Sequence, residues 1–427
     1  MVTQTLGRRW SILALLTLLL MASCGASAVE LWSDEEGRRG ELAVAGKATF
    51  LASDAPSDPV LFPDDHSETT LARLRLGLEV THSDWMDSEL AYEQRARRRS
   101  GSTGVGAGSS FLPSQARAPF RLAQLDWEIA ADDSSSYRHE IDRGLVALHP
   151  TWGDVTIGRQ AIGLGRGVLF GAVDVFNPFS PLDVDREWRR GVDAFRAEYR
   201  LSATSSAECI AAFGETWEQS ALLGRLRGYL GDIDGSLIVG KRARDSMVGS
   251  AFSAVVGGAE VHGEFAVFDT PEVQTDGTLW GGGHLATVTL IGSSYTFDVG
   301  NGLTLLGEYH YSDFGVEDAE DVLVRLQDRD FRRRFLRGDM QILGRQAVAG
   351  QLSYPFSDAV NGSFLVLTNP TDSSGVISPS LRWDLDANVT LIGSIFVPWG
   401  DEPSGGRFRS EYGATPTSLF LQAAVYY

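Results

Sequence analysis

The chain has 427 residues, with 37 Lys and Arg against 56 Asp and Glu and a formal net charge of −19. Such acidity argues against nucleic acid as a partner, because nucleic-acid binders carry a basic footprint. Only two cysteines occur, Cys24 in an apolar leader and Cys209 beyond it, so no disulfide framework is available.

Residues 1–28 read as a secretory signal peptide. Arg8 and Arg9 charge its start, Ile12 to Ala22 form its apolar stretch, and Ala26-Ser27-Ala28 is a small-x-small cleavage site. Its removal leaves 35 basic against 56 acidic residues, a net charge of −21. No later run approaches 18 apolar residues, so an exported chain of this kind could enter a membrane only as a closed barrel.

Residues 29–40 are polar and read as a periplasmic lead to a barrel over 41–427. Leu42, Val44, Gly46, Ala48 and Phe50 alternate as a first strand. Residues 53–68 read as a loop. Ala72, Leu74, Leu76, Leu78 and Val80 then oppose Arg73, Arg75, Gly77 and Glu79, apolar on one face and polar on the other. A weaker strand covers Glu89 to Arg97. A Gly/Ser-rich loop covers 100–110, and Leu125, Trp127 and Ile129 mark a further strand. Tyr137 to Gln160 reads as a hairpin broken at His149-Pro150-Thr151-Trp152-Gly153.

A connection of about 30 residues follows, far longer than compact folds keep without a use. Beyond it, Phe195, Ala197, Tyr199 and Leu201 oppose Arg196, Glu198 and Arg200. Short strand-like runs then repeat to the C-terminus. Tight turns such as Asp232 to Gly235 alternate with long loops at 269–283, 312–338 and 398–416. Thirteen strands fit after the long connection and five or six before it. The expected fold is therefore all-β, a transmembrane antiparallel β-barrel of about 18 strands, with 16 the next choice. The closing run Leu419, Leu421, Ala423, Val425, Tyr427 resembles the terminal strand of bacterial outer-membrane barrels, where a last aromatic addresses the insertion machinery.

Residues 161–190 are expected to fold inward as a constriction loop on the extracellular side. Its acids Asp174, Asp183, Asp185 and Glu187 would face Arg73, Arg75, Arg159, Arg196 and Arg200 on the wall, with Glu198 beside them. Opposed charges across a narrow lumen orient polar solutes and reject apolar ones. Arg159 shares parity with Val155 and Ile157, so it needs a bulge or marks the end of its strand. Arg329, Arg332, Arg333, Arg334 and Arg337 form a second basic cluster, read either as a solvated run or as an attractor of lipopolysaccharide phosphates.

Signals for catalysis are thin. The seven histidines show no metal spacing, and there is no nucleophile elbow or phosphate-binding glycine loop. His262 with Glu260 and Glu264, and His310 with Glu308, lie on lumen parity and read as pore-lining groups. Gly163-x-Gly165-x-Gly167 reads as turn glycines. No cofactor, metal or enzyme activity is expected.

The stretch Gly158-Arg159-Gln160-Ala161-Ile162, then Asp174 with Phe176-Asn177-Pro178-Phe179 and Pro181, then Asp185-Arg186-Glu187, Arg189, Gly191 and Asp193, resembles a family of porin-like bacterial outer-membrane proteins. Leu164-Gly165 stands where such proteins often have Trp-Gly. The resemblance implies a barrel in the outer membrane and little about substrate. The leading expectation is a channel for passive diffusion of small hydrophilic solutes, in contact with outer-membrane lipid and lipopolysaccharide. A homo-oligomer is left open. The alternative is a barrel that sheathes an export or electron-transfer partner, its lumen occupied or plugged.

Overall fold

The computed structural model describes residues 28–101, 111–112, 117–274 and 278–427. Residues 1–27 of the expected leader and most of the Gly/Ser-rich stretch lie outside the described residues. Among the described residues the wall is a closed antiparallel barrel of 18 strands. Five wall strands precede the long connection and thirteen follow it.

Closure joins the first long strand, Arg39–Asp54, to the last, Thr417–Tyr426, in register from Ala45↔Tyr426 to Asp54↔Thr417. Val44 and Tyr427 then exchange two backbone hydrogen bonds of 2.6 and 2.8 Å. Among the described residues no strand of the 18-stranded wall is left as an open edge. The polar lead contributes a short strand, Val29–Ser33, paired to the start of the first long strand.

The run at Leu125 to Ile129 is not a wall strand. It forms the six-residue strand Asp126–Ala131, which among the described residues pairs only with Ser135–Leu148. The neighbouring wall strand, Met86–Ser100, pairs with Ser135–Leu148 directly. Six residues are too few to span the wall, whose strands need about nine to eleven.

Successive side chains alternate between lumen and exterior. Leu222, Leu226, Leu237, Val239, Val248, Ile291 and Leu421 are exposed on the outside, while Leu223, Ile238, Met247, Leu290 and Phe420 are buried inside. Exposed aromatics gather at both ends of the wall. Trp85, Trp152, Tyr199, Tyr229, Phe356 and Trp383 stand at the short-turn end, and Trp127, Trp217, Trp280 and Trp399 at the long-loop end. This is the apolar band with aromatic girdles that a lipid-facing barrel requires.

The interior is not empty. One apolar cluster joins Ile162, Leu164, Val173, Val175 and Phe176 of the long connection to Ile210, Leu223, Ile238, Met247 and Phe268 of the wall. A second joins Leu169, Phe170 and Leu182 to Leu290, Leu306, Leu367, Phe396 and Phe420. Residues 161–191 therefore pack inside the barrel against most of its circumference. Their core replaces much of the water that a barrel this wide would hold.

Candidate functional site

The inward turn begins where Gly153–Gln160 stops after eight residues. Gly158 has φ +118°, and a Cβ there would run into the Gly144 carbonyl, so the position demands glycine. Arg159 lies opposite Asp193 and bonds it at 2.7 Å. Its other nitrogens donate to the carbonyls of Ile141 and Ala123. Arg159 thus ties the wall to the segment beside it and touches none of the loop acids.

The loop crosses to the far wall and is held there by two carboxylates. Glu264 accepts the backbone N–H groups of Arg166, Gly167 (2.8 Å), Ala172 (2.6 Å) and Val173 (3.0 Å). Glu308 accepts those of Val168 (2.6 Å), Leu169 (3.0 Å) and Phe170 (3.0 Å). Hydrogen bonds to ionised groups are the strong ones. Gly165 and Gly167 permit the approach, since a Cβ would meet Glu264 at the first and Leu290 at the second. Phe170 stacks on His310 with centroids 5.0 Å apart, and His262 Nε2 lies 2.9 Å from Glu308. These lumen-parity groups are therefore engaged with the loop or with one another.

The returning limb rests on the opposite arc. Asp185 bonds Lys47 Nζ at 2.7 Å and Arg73 Nη1 at 3.0 Å. Glu187 bonds Lys47 Nζ at 2.6 Å and the Tyr426 hydroxyl at 2.7 Å. The Trp188 ring lies over Lys47, 4.0 Å from the centroid, with Arg73 at 4.8 Å and Arg75 at 5.2 Å. Arg73 also forks onto Glu93 at 3.0 and 3.1 Å, and Arg75 reaches Asp142 at 2.9 Å.

The remaining candidates have other partners. Asp174 pairs with Arg189 at 2.5 Å inside the loop. Asp183 accepts the Ser180 N–H at 2.7 Å, and burial pushes its carboxyl up to about 7 despite that bond and nearby Arg186. Arg196 pairs with Glu208, Glu198 lies 4.0 Å from Arg196, and Arg200 pairs with Asp154 at 3.1 Å. Arg73, Asp185 and Glu187 thus meet with Arg75 adjoining, while the other six stand elsewhere. The residues that complete the cluster, Lys47, Glu93, Trp188 and Asp142, were not among those singled out. Lys47 sits on the lumen parity midway along the first long strand, which was the available signal.

A cavity of about 790 Å³ opens above the returning limb. Arg73, Arg95, Arg97, Arg99, Arg117 and Arg190 line one side, with Asp132, Asp133, Asp183, Asp185 and Glu411 as the acids. Phe335, Leu336, Met340, Phe408 and Tyr412 from two other loops line the rest. The basic cluster at 329–337 is split. Arg334 is buried on Asp245 at 3.0 Å, which docks the helix Arg329–Arg337, while Arg329 and Arg333 stay exposed. Glu411 accepts the N–H groups of Leu343 (2.7 Å) and Gly344 (3.1 Å) and the Asn369 amide (2.9 Å). Burial pushes its carboxyl up to about 7.

No family model matches the sequence, and no curated protein does. Solved structures match in fold. OccAB4 of Acinetobacter baumannii aligns with TM-score 0.53 and 11% identity, over 91% of this chain and 98% of its own. OccK9 (OpdG) of Pseudomonas aeruginosa gives the same figures, TM-score 0.53, 11% identity, 91% and 98%. The outer membrane protein opdK of Pseudomonas aeruginosa aligns with TM-score 0.51 and 10% identity, over 91% and 98%.

Proposed function

We propose that the chain is a porin-like channel of the bacterial outer membrane, exported by a cleaved leader at 1–28. Small hydrophilic solutes would cross it by passive diffusion, narrowed by residues 161–190. The observation that carries this reading is the loop itself. It enters a closed lipid-compatible barrel, grips two opposite arcs of the wall, and leaves a charged cavity on the long-loop side. That side faces the medium, since long loops lie outside and short turns in the periplasm. Residues 29–40 form the periplasmic lead, and 41–427 the barrel. The fold shared with an outer membrane protein supports the location. A solute path would follow the arc of Arg73, Arg95, Arg97 and Arg99, which line the cavity, because apolar clusters tie the loop to other parts of the wall. An arginine-lined arc favours anionic solutes. No chemistry on the solute is part of this reading.

Proteoliposome swelling tests it. Liposomes carrying the protein should swell in arabinose faster than in raffinose, and empty liposomes in neither. Equal rates for protein-bearing and empty liposomes would contradict the reading. A plugged sheath has one observation in its favour, the near-complete burial of Lys47, Arg73, Glu93 and Asp185. It would keep those liposomes tight until the loop is removed.

A further inference from the structure

Four basic residues stand in one row around the wall. Lys47 lies opposite Arg73, Arg73 opposite Arg95, and Arg95 opposite Arg138. Like charges directly opposite one another destabilise a sheet unless anions sit among them. Residues outside the loop supply acids for most of the row, two from the wall and one from the short strand Asp126–Ala131. Glu93 serves Arg73 and Arg95, Glu140 serves Arg95, and Glu128 serves Arg138. Lys47 differs. Its side chain is 1% exposed, and among the described residues its ion-pair partners are Asp185 and Glu187, both from the loop. A buried ammonium without an anion is costly. Any movement of the returning limb away from the wall therefore calls for a substitute anion at Lys47.

The place is also built to receive one. Lys47 Nζ and Arg73 Nη1 grip the two oxygens of a single carboxylate, at 2.7 and 3.0 Å. Arg73, Asp185 and Trp188 all line the cavity, so the cluster communicates with the space through which a solute would arrive. The present occupants are two carboxylates two positions apart that converge on one ammonium.

We propose that Lys47 and Arg73 form a carboxylate-binding site that Asp185 and Glu187 fill as internal ligands. A small dicarboxylate arriving from the cavity exchanges for them and frees residues 183–190 from the wall. This inference rests on the channel reading and deepens it, naming the solute class and the contact that solute breaks. A tethered ligand competes at an effective concentration in the millimolar range or above, so it weakens apparent binding of the free one. Removing the internal carboxylates should therefore tighten binding of the external one, which a purely structural ion pair would not do.

The experiment measures succinate binding by calorimetry to the full mature chain in detergent. Asp185→Asn/Glu187→Gln should bind at least tenfold more tightly than wild type. Adding Lys47→Met to that background should abolish binding. Glu187→Gln alone, which removes the more exposed carboxylate, should fall between and provides the arm if the double variant does not fold. Inorganic phosphate should bind at least tenfold more weakly than succinate. Equal succinate affinity in wild type and the variants, or phosphate binding as tight as succinate, would overturn the inference. Binding does not depend on conduction, so the two readings fail separately. Tightened binding in a protein whose liposomes stay tight would leave this site standing and remove the channel. Swelling liposomes without tightened binding would do the reverse.

Discussion

Asp185 Oδ1 lies 2.7 Å from Lys47 Nζ, joining residues 138 apart in the chain across the interior of the barrel. Both side chains are at most 5% exposed. Lys47→Met should leave Asp185 as a buried, half-paired carboxylate, at a cost of about 3–5 kcal/mol. The midpoint of heat-induced mobility change on electrophoresis should fall accordingly. An unchanged midpoint would mean that the limb does not rest on Lys47.

The loop's far anchor should behave as a clasp. Glu264→Ala leaves four backbone donors without their acceptor, each worth about 1–3 kcal/mol when buried, less what water recovers. Limited proteolysis of the intact barrel should then cut within residues 165–173, where wild type resists. Glu308→Ala should expose the same segment through its three donors. Resistance in both variants would show that the apolar clusters alone hold the loop.

Much of this arrangement could be read in advance, and the failures have physical causes. The strand count after the loop follows from period-two alternation and turn residues, and the closing strand from its alternation up to Tyr427. The run at Trp127 and Ile129 misled because a short accessory strand alternates just as a wall strand does. Its length, not its pattern, excludes it from the wall. Which loop acid meets which basic residue depends on the path of the loop, and local pattern carries no record of that path. Asp174 and Asp183 are spent on Arg189 and the Ser180 turn, and Arg159 on Asp193. Lys47 was visible only as a cation on lumen parity, without its partners. The anchoring roles of Glu264 and Glu308 were hidden because their partners are backbone amides, which every residue but proline has.

Reversal potentials in a salt gradient should separate lumen groups from wall groups. Arg73→Ala should shift selectivity away from anions, because Arg73 lines the cavity beside Asp185. Arg159→Ala should lower thermal stability and leave the reversal potential unchanged, because its partners are Asp193 and the carbonyls of Ile141 and Ala123. A selectivity shift in Arg159→Ala equal to that in Arg73→Ala would contradict this placement.

Glu411 should make the packing of the long loops depend on pH. Its carboxyl is raised to about 7 in the fold by burial, so between an ordinary carboxyl value and about 7 the unfolded chain has lost a proton that the fold keeps. Stability from this group is then greatest at low pH and is lost as pH rises toward about 7, with no further change above. The difference in thermal midpoint between Glu411→Gln and wild type should be small at pH 4 and should favour the variant at pH 8. A constant difference across that range would remove Glu411 as the source.

On the channel reading, residues 161–190 narrow a water-filled path through the barrel. Single-channel recording in planar bilayers tests it most directly, comparing wild type with a variant in which 166–188 is replaced by a short Gly/Ser linker. Discrete steps in wild type, with severalfold larger steps in the shortened variant, are the expected result. Steps of equal size in the two proteins, or a silent wild type beside a conducting variant, would contradict it.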